Sequence, residues 1–317
     1  MFNWMRKWAV VSAALFLAAC GGSDDDHPAT PGTVLQVAAG DARFSLLAEA
    51  VTKAELGAAL SGTTPITVFA PTNDAFAALL SELGTTKDAL FNDKPLLTAV
   101  LQYHVLGARV PASAVSLGQP VTPLAGGIFK IDRATGGGLA ITDGRNRVAG
   151  ITATDVAASN GVIHVIDKVL LPADKTIVQT AQALSDFSIL VEAVVAADLV
   201  AALSADGPFT VFAPTNAAFA ALLSELGVTK EQLLADKPLL TRVLTYHVVP
   251  SRVLKAQVPV GAAVTTLQGD TLTVGSDLVI TDQRGRRAAI TGTDVLTSNG
   301  VIHVIDKVIL PTPAPAS

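Results

Sequence analysis

The chain contains few cysteines and tryptophans, and the shortage of cysteine limits how its domains can be stabilised. Cys20 is the single cysteine among 317 residues, so no intramolecular disulfide can form and each domain must be stable through its apolar core. Both tryptophans, Trp4 and Trp8, lie at the extreme N-terminus. After Cys20, no stretch is apolar enough over a sufficient length to predict a membrane-spanning helix.

Charged residues are also scarce, at 15% of the chain, and the formal net charge is −5. With this balance and no long basic run, the sequence does not indicate a nucleic-acid-binding protein. The chain contains no G-x-S-x-G, H-E-x-x-H or Walker-type motif, and its histidines have no metal-ligand spacing. We therefore expect no catalytic residues, no metal and no cofactor.

Residues 1–19 have the pattern of a secretory signal, in which basic residues precede a short apolar run. The run ends in Leu-Ala-Ala-Cys-Gly at 17–21, which resembles a bacterial lipobox, where the cysteine is diacylated and becomes the first residue after cleavage. This resemblance predicts a lipoprotein signal peptide at 1–19 and lipidation of Cys20. The alternative is an ordinary signal peptide that happens to contain a cysteine.

Residues 20–32 are rich in Gly, Ser, Asp and Pro, which predicts a flexible tether. Gly21 rather than Asp follows the cysteine, which in Gram-negative lipoproteins favours the outer membrane over the inner one. We therefore expect an exported protein, anchored by lipid to a bacterial outer membrane or cell surface. Residues 312–317 are Pro-rich and predict a disordered tail.

The rest of the chain is one module present twice. Module 1 covers residues 33–172 and module 2 covers 176–311, so the short linker predicts that the two modules touch. Module 1 has four extra residues in a glycine-rich region near 126–138, which predicts a surface loop. The repeated segments include TVFAPTN at 67–73 and 210–216, FAALLSELG at 76–84 and 219–227, and SNGVIHVIDKV at 159–169 and 298–308.

Half of the residues are apolar, and their spacing predicts helices early in each module and strands later. In module 1, a strand at Thr67–Ala70 precedes an amphipathic helix that Gly84 ends. A second helix begins near Pro95 and carries Tyr103 and His104 at its C-terminal end. The predicted fold class is therefore α+β.

The second half of module 1 is predicted to contain antiparallel strands. A hairpin is expected over 139–152, with its tip at Asp143-Gly144-Arg145-Asn146. Asn160-Gly161 is expected to form a turn that needs glycine, followed by a strand at Val162–Leu170.

Three of these segments resemble the sequence marks of the fasciclin domain: TVFAPTNDAF at 67–76, Tyr-His at 103–104 and SNGVIHVIDKVLLP at 159–172. Module 2 carries the same three marks in the same order, so the resemblance covers both modules from end to end. It implies two tandem fasciclin-like domains, each a β-wedge of mainly antiparallel strands flanked by helices. It also implies non-catalytic extracellular adhesion or matrix interaction.

In animal members of the family the Tyr-His segment is associated with integrin binding. The resemblance therefore marks Tyr103, His104, Tyr246 and His247 as candidate recognition residues. The alternative is a buried, internally hydrogen-bonded pair that fixes the end of a helix.

The other polar residues repeated in both modules are expected to be structural. His164 and His303 lie in mid-strand, which predicts that both are core histidines with satisfied hydrogen bonds. Asp167 and Asp306 are expected to accept hydrogen bonds from nearby groups. The predicted hairpin tips are basic, which makes five arginines weak candidates for contact with anionic glycans or lipid headgroups. They are Arg145, Arg147, Arg284, Arg286 and Arg287.

Three functions follow as hypotheses. The favoured one is a surface or envelope lipoprotein that mediates adhesion or matrix and biofilm interaction, with a surface protein, matrix or glycan as its partner. The alternative is a periplasm-facing structural protein that binds another envelope protein or polymer. An enzyme or small-ligand carrier has little support in the sequence, and a deep apolar pocket would favour it.

Overall fold

A computed structural model describes residues 31–313. The predicted signal peptide, Cys20, most of the tether and the end of the tail lie outside these residues. The helices of module 1 are α1 (Val34–Ala39), α2 (Ser45–Lys53), α3 (Gly57–Ser61), α4 (Asn73–Leu83), α5 (Lys87–Asn92) and α6 (Lys94–Tyr103). Its strands are β1 (Ile66–Pro71), β2 (Val105–Leu106), β3 (Pro120–Val121), β4 (Phe129–Arg133), β5 (Leu139–Thr142), β6 (Val148–Ala158) and β7 (Gly161–Ile166).

Module 2 repeats this order of elements. Its helices are α7 (Ile177–Gln182), α8 (Ser188–Ala196), α9 (Val200–Ser204), α10 (Asn216–Leu226), α11 (Lys230–Ala235) and α12 (Lys237–Tyr246). Its strands are β8 (Phe209–Pro214), β9 (Val248–Val249), β10 (Ala263–Thr265), β11 (Thr271–Val274), β12 (Val279–Thr281), β13 (Arg287–Thr297) and β14 (Gly300–Ile305).

Each module folds around one seven-stranded sheet. In module 1 the strand order is β2-β1-β7-β6-β5-β4-β3, and module 2 has the corresponding order. The strands pair antiparallel except for β1 with β7 and β8 with β14, which are parallel. The predicted α+β class, with mainly antiparallel strands flanked by helices, is confirmed. The parallel pair joins the first strand of each module to its last.

The helix after the first strand ends where the sequence predicts, and a threonine caps its beginning. Thr72 caps α4, and its hydroxyl accepts a hydrogen bond from the Ala75 N–H at 3.3 Å. The helix ends at Gly84, whose φ of 59° is the left-handed conformation that glycine adopts without strain. Thr215 and Gly227 take the same positions around α10.

The predicted strand at Val162–Leu170 is too long, because β7 ends at Ile166. The Asp167 carboxylate accepts a hydrogen bond from the Gly150 N–H at 2.7 Å, as its structural role predicts. Beyond it, the N–H groups of Leu170 and Leu171 donate to the side chains of His104 and Asp143 instead of to a strand. Buried side chains therefore hold the last residues of the module.

The turn before β7 also connects the sheet to the first helices. Asn160 is buried, and its Oδ1 accepts a hydrogen bond from the Val34 N–H at 2.9 Å. Its Nδ2 donates to the carbonyls of Leu60 and Gly62 at 2.9 and 2.8 Å. Asn299 does the same in module 2. The asparagine thus connects the sheet to the helices, a role that goes beyond forming a turn.

Both ends of the described chain are held by hydrogen bonds. The Gly32 carbonyl, at the end of the predicted tether, accepts from the Ser159 N–H at 3.0 Å. Thr312 lies in the predicted disordered tail, but its N–H and hydroxyl donate to the Asp270 carboxylate at 2.9 and 2.7 Å. Order therefore extends to Thr312, because a carboxylate of module 2 accepts both of its donors.

The expected glycine-specific backbone at Gly161 is wrong, and the reason for the glycine is steric. Gly161 has no positive φ and begins β7, but a Cβ there would collide with the Ile66 carbonyl oxygen of the parallel strand β1. We predict that Gly161→Val lowers the free energy of unfolding by about 2 kcal/mol or more, because the strand pair must separate to admit the side chain.

Chemical denaturation of the two variants Gly161→Val and Gly62→Ala checks this prediction. Gly62 is the control, because a Cβ at that position comes no closer than 3.9 Å to the Ala58 carbonyl oxygen. Equal stability of Gly161→Val and the unmodified chain would refute the packing argument.

Candidate functional site

The first candidate recognition pair, Tyr103 and His104, is buried at the C-terminal end of α6. The two side chains are 0% and 2% exposed. The Tyr103 hydroxyl donates to the Ile128 carbonyl at 2.5 Å, which connects α6 to the residue that precedes the strand β4. The His104 ring bonds the Val100 carbonyl through Nδ1 at 2.7 Å and accepts from the Leu170 N–H at Nε2 at 2.8 Å. These partners require a neutral imidazole protonated on Nδ1.

The second pair, Tyr246 and His247, has the same geometry in module 2. The Tyr246 hydroxyl donates to the Thr271 carbonyl at 2.8 Å. His247 bonds the Val243 carbonyl at 2.8 Å and accepts from the Ile309 N–H at 3.1 Å. Both pairs therefore have the internal hydrogen bonds of the structural alternative. A recognition role for these four side chains stays a prediction, and a partner could reach them only after local opening of a module.

The strand histidines are core residues with satisfied hydrogen bonds, as predicted. His164 and His303 are each 1% exposed. His164 Nε2 bonds the Val110 carbonyl at 2.9 Å, and its Nδ1 accepts from the Asp155 N–H at 3.3 Å. Asp155 lies at an irregularity of β6 and has a φ of 60°. The histidine thus supports a bulge in the neighbouring strand.

A buried aspartate organises each basic hairpin tip. Asp143 is 1% exposed and accepts hydrogen bonds from the N–H groups of Arg145, Arg147 and Leu171 at 2.9–3.0 Å. Asp282 accepts the equivalent three in module 2. This carboxylate links the hairpin to the end of its module, whereas the sequence predicts only a turn residue at this position.

Four of the five hairpin arginines are paired with carboxylates of the chain. Because their charge is already compensated, they are weaker contacts for an external anion than the sequence suggests. Arg284 is the exception: its Nε donates to the Pro311 carbonyl at 3.0 Å, and it has no ion pair among residues 31–313. The pairs are Arg145 with Asp174, Arg147 with Asp143 and Glu82, Arg286 with Glu225, and Arg287 with Asp277.

The two modules make direct polar contacts. Lys130 Nζ lies 2.9 Å from the Asp294 carboxylate, and both side chains are largely buried, at 14% and 3% exposed. Asn146 Nδ2 donates to the Leu296 carbonyl at 3.0 Å, while its Oδ1 accepts from the Leu296 N–H at 2.6 Å. The amide therefore satisfies both backbone groups of one residue in the other module. These contacts confirm that the modules touch.

An apolar cluster adjoins these polar contacts. It consists of Ile128 from module 1 and of Leu254, Leu296 and Val301 from module 2. Most interface positions are those at which the two copies of the module differ. Lys130, Asn146 and Ile128 correspond to Thr273, Gly285 and Thr271, while Leu254 and Leu296 correspond to Pro111 and Ala157.

A cleft of about 580 Å³ lies where the modules meet. Module 1 contributes Glu82 and the hairpin tip 144–147, the linker contributes Asp174 and Lys175, and module 2 contributes mainly apolar side chains that include Leu184 and Leu296. The cleft thus combines charges of both signs with exposed apolar surface. Sequence reasoning missed it, although differences between the two repeats mark part of its wall.

Among residues 31–313 there is no group of three side chains that could hold a metal ion. In the same part of the chain, no helix has the length and hydropathy needed to cross a membrane.

The fasciclin domain model matches residues 42–172 and 185–311. The chain belongs to the fasciclin domain family. The two matches correspond to the two folded modules, so both are fasciclin domains. Their matched residues include both Tyr-His pairs and both basic hairpins.

Several proteins are similar to this fasciclin chain. It is 49% identical over 150 residues to Protein sll1483 of Synechocystis, a match covering 46% of the chain and 79% of that protein. It is 32% identical over 257 residues to rabbit transforming growth factor-beta-induced protein ig-h3, covering 80% of the chain but 36% of that protein. A solved fasciclin domain pair from the insect cell adhesion molecule Fasciclin I has 18% identity and a TM-score of 0.42, over 87% of the chain and 95% of the solved one.

The buried histidines predict that these fasciclin domains lose stability in mild acid. Burial lowers the pKa of His104 and of His247 to about 4, below the value of 6.5 in an exposed histidine. Between these values the unfolded chain binds more protons than the folded one. Stability is therefore complete above about pH 6.5 and falls towards pH 4, by up to about 1.4 kcal/mol per pH unit for each imidazole.

Urea denaturation at several pH values between 7 and 5 measures this slope. His104→Gln, which keeps a donor and an acceptor but does not titrate, is expected to be less stable at neutral pH and to have a shallower slope. An identical slope in the variant would show that His104 is not one of the titrating groups.

Proposed function

We propose that the chain is a non-catalytic lipoprotein of the cell surface or envelope that mediates adhesion or matrix and biofilm interaction through its two fasciclin domains. The observation that carries the proposal is the cleft between the modules, because neither module forms it alone. Fasciclin domains are known in adhesion and matrix-interacting proteins, which supports this class of function.

The chemistry of the cleft suits a protein partner. Arg145, Arg147 and Lys175 stand beside the carboxylates of Glu82 and Asp174, so the surface has no strong charge of one sign. Leu184 is 42% exposed there and offers apolar area to a partner. Alternating charges around an apolar centre are typical of protein interfaces, whereas a long anionic polymer selects a continuous basic surface.

The polar contacts between the modules support a fixed binding surface. Asp294 accepts a hydrogen bond from the Lys255 N–H at 2.7 Å in addition to its ion pair with Lys130. A buried carboxylate with two such partners keeps its position, and a preformed surface loses little conformational entropy on binding.

Anchoring at Cys20 completes the proposal. The lipobox-like sequence and the absence of Asp after the cysteine support export and attachment to the outer membrane or cell surface. In this arrangement the tether at 20–32 separates the lipid from the folded pair.

A cell-attachment assay tests the proposal. Cells that express the full chain are compared with cells that carry Cys20→Ala, which releases the protein, and with the cleft variant Lys175→Glu/Leu184→Asp. We expect both changes to reduce surface attachment and biofilm cohesion several-fold. The matched control is Lys168→Glu/Leu267→Asp, which makes the same changes at exposed residues that do not line the cleft.

Unchanged attachment with Cys20→Ala would contradict the adhesion hypothesis, and equal attachment by the cleft and control variants would contradict the role of the cleft. The second candidate function is a periplasm-facing structural protein that binds an envelope protein or polymer. Protease treatment of intact cells separates the two, since a periplasmic protein resists digestion.

A further inference from the structure

Module 2 contains an apolar pocket that is separate from the cleft. Its volume is about 140 Å³, and it is lined by nine Leu and Val side chains together with Phe219 and Arg284. It lies among α10, α11 and α12 and the last residues of the module. A cavity of about 150 Å³ with a similar lining accommodates benzene, so this pocket has room for an apolar group of about six carbons.

Every residue that lines the pocket has an identical counterpart in module 1, so the differences around it are informative. Phe91 of module 1 is 4% exposed, and its ring packs edge-on against Phe76 with 6.1 Å between centroids. Module 2 has Leu234 in place of Phe91 and Phe219 in place of Phe76. Leu234 packs against the module 2 core without lining the pocket, so the replacement removes a phenyl ring from the core around the pocket.

The second difference concerns the charge at the rim of the pocket. In module 1, Arg145 pairs with Asp174 at 3.0 Å. The corresponding position in module 2 is Pro313, so the exposed Arg284 has lost this carboxylate and has no ion pair among residues 31–313. Guanidinium donors without a carboxylate favour an anionic head group.

We propose that module 2 binds a small amphipathic carboxylate, with an alkyl or phenyl group of about six carbons in the pocket and its carboxylate on Arg284. Module 1 is not expected to bind the same compound, because Phe91 adds a ring to the corresponding part of its core and Asp174 pairs with Arg145. The fasciclin pair thus carries one small-ligand site in addition to its cleft. The two surfaces share no lining residue, so the site does not depend on the proposed adhesion function.

Calorimetric titration of the full chain, purified as its Cys20→Ser variant, with hexanoate tests the proposal. We expect saturable binding of one hexanoate per chain, and weaker binding of hexanol, which lacks the charge. Leu234→Phe restores the residue that module 1 carries and is expected to abolish binding. Arg284→Gln is expected to weaken the binding of hexanoate at least fivefold while leaving the affinity for hexanol unchanged.

The reciprocal variant is Phe91→Leu/Asp174→Asn, which removes from module 1 the phenyl ring and the carboxylate that module 2 lacks at these positions. We expect it to raise the stoichiometry from one hexanoate to two. A thermal melt of each variant verifies that it is folded. Absence of saturable hexanoate binding, or equal binding by the folded Leu234→Phe variant, would overturn the proposal.

Discussion

The contact between the two modules is the constraint on which the functional account depends. A largely buried ion pair, Lys130 with Asp294, and the two-way hydrogen bonding of Asn146 with Leu296 lie beside a small apolar cluster. Breaking such a contact would leave a buried charge and two backbone groups without partners, which is costly. The cleft exists because this contact brings the hairpin of module 1 against module 2.

The same module performs different tasks in its two positions. Both copies keep the buried Tyr-His pair, the aspartate of the hairpin and the asparagine before the last strand, and these residues hold helices, sheet and chain end together in each module. The copies differ at the interface and around one pocket. Module 1 has Phe91 and a paired arginine, whereas module 2 has Leu234, an apolar pocket and Arg284, which has no ion pair among residues 31–313. Comparison of the two copies thus separates the residues that the fold requires from the residues that serve only one of the two modules.

Much of the fold follows from local sequence signals. Thr72 and Gly84 bound a helix because capping and left-handed glycine are local effects, and the repeated motifs are sufficient to recognise the fasciclin family. Long-range effects were not predictable in this way. Gly161 is required by the carbonyl of a strand almost a hundred residues earlier, and the end of β7 is set by side chains from other elements. The Tyr-His pair was ambiguous because sequence spacing does not report burial.

The most direct test of the account is a distance measurement between the modules. Spin labels at Ser81 and Ala201, which are exposed in different modules, can be introduced into a chain that carries Cys20→Ser. Double electron–electron resonance between the labels should give a single narrow distance distribution. The variant Lys130→Thr/Asn146→Gly installs the corresponding residues of module 2 and should broaden this distribution. A broad distribution in the chain with its natural interface would contradict the claim that the two fasciclin domains form one fixed surface.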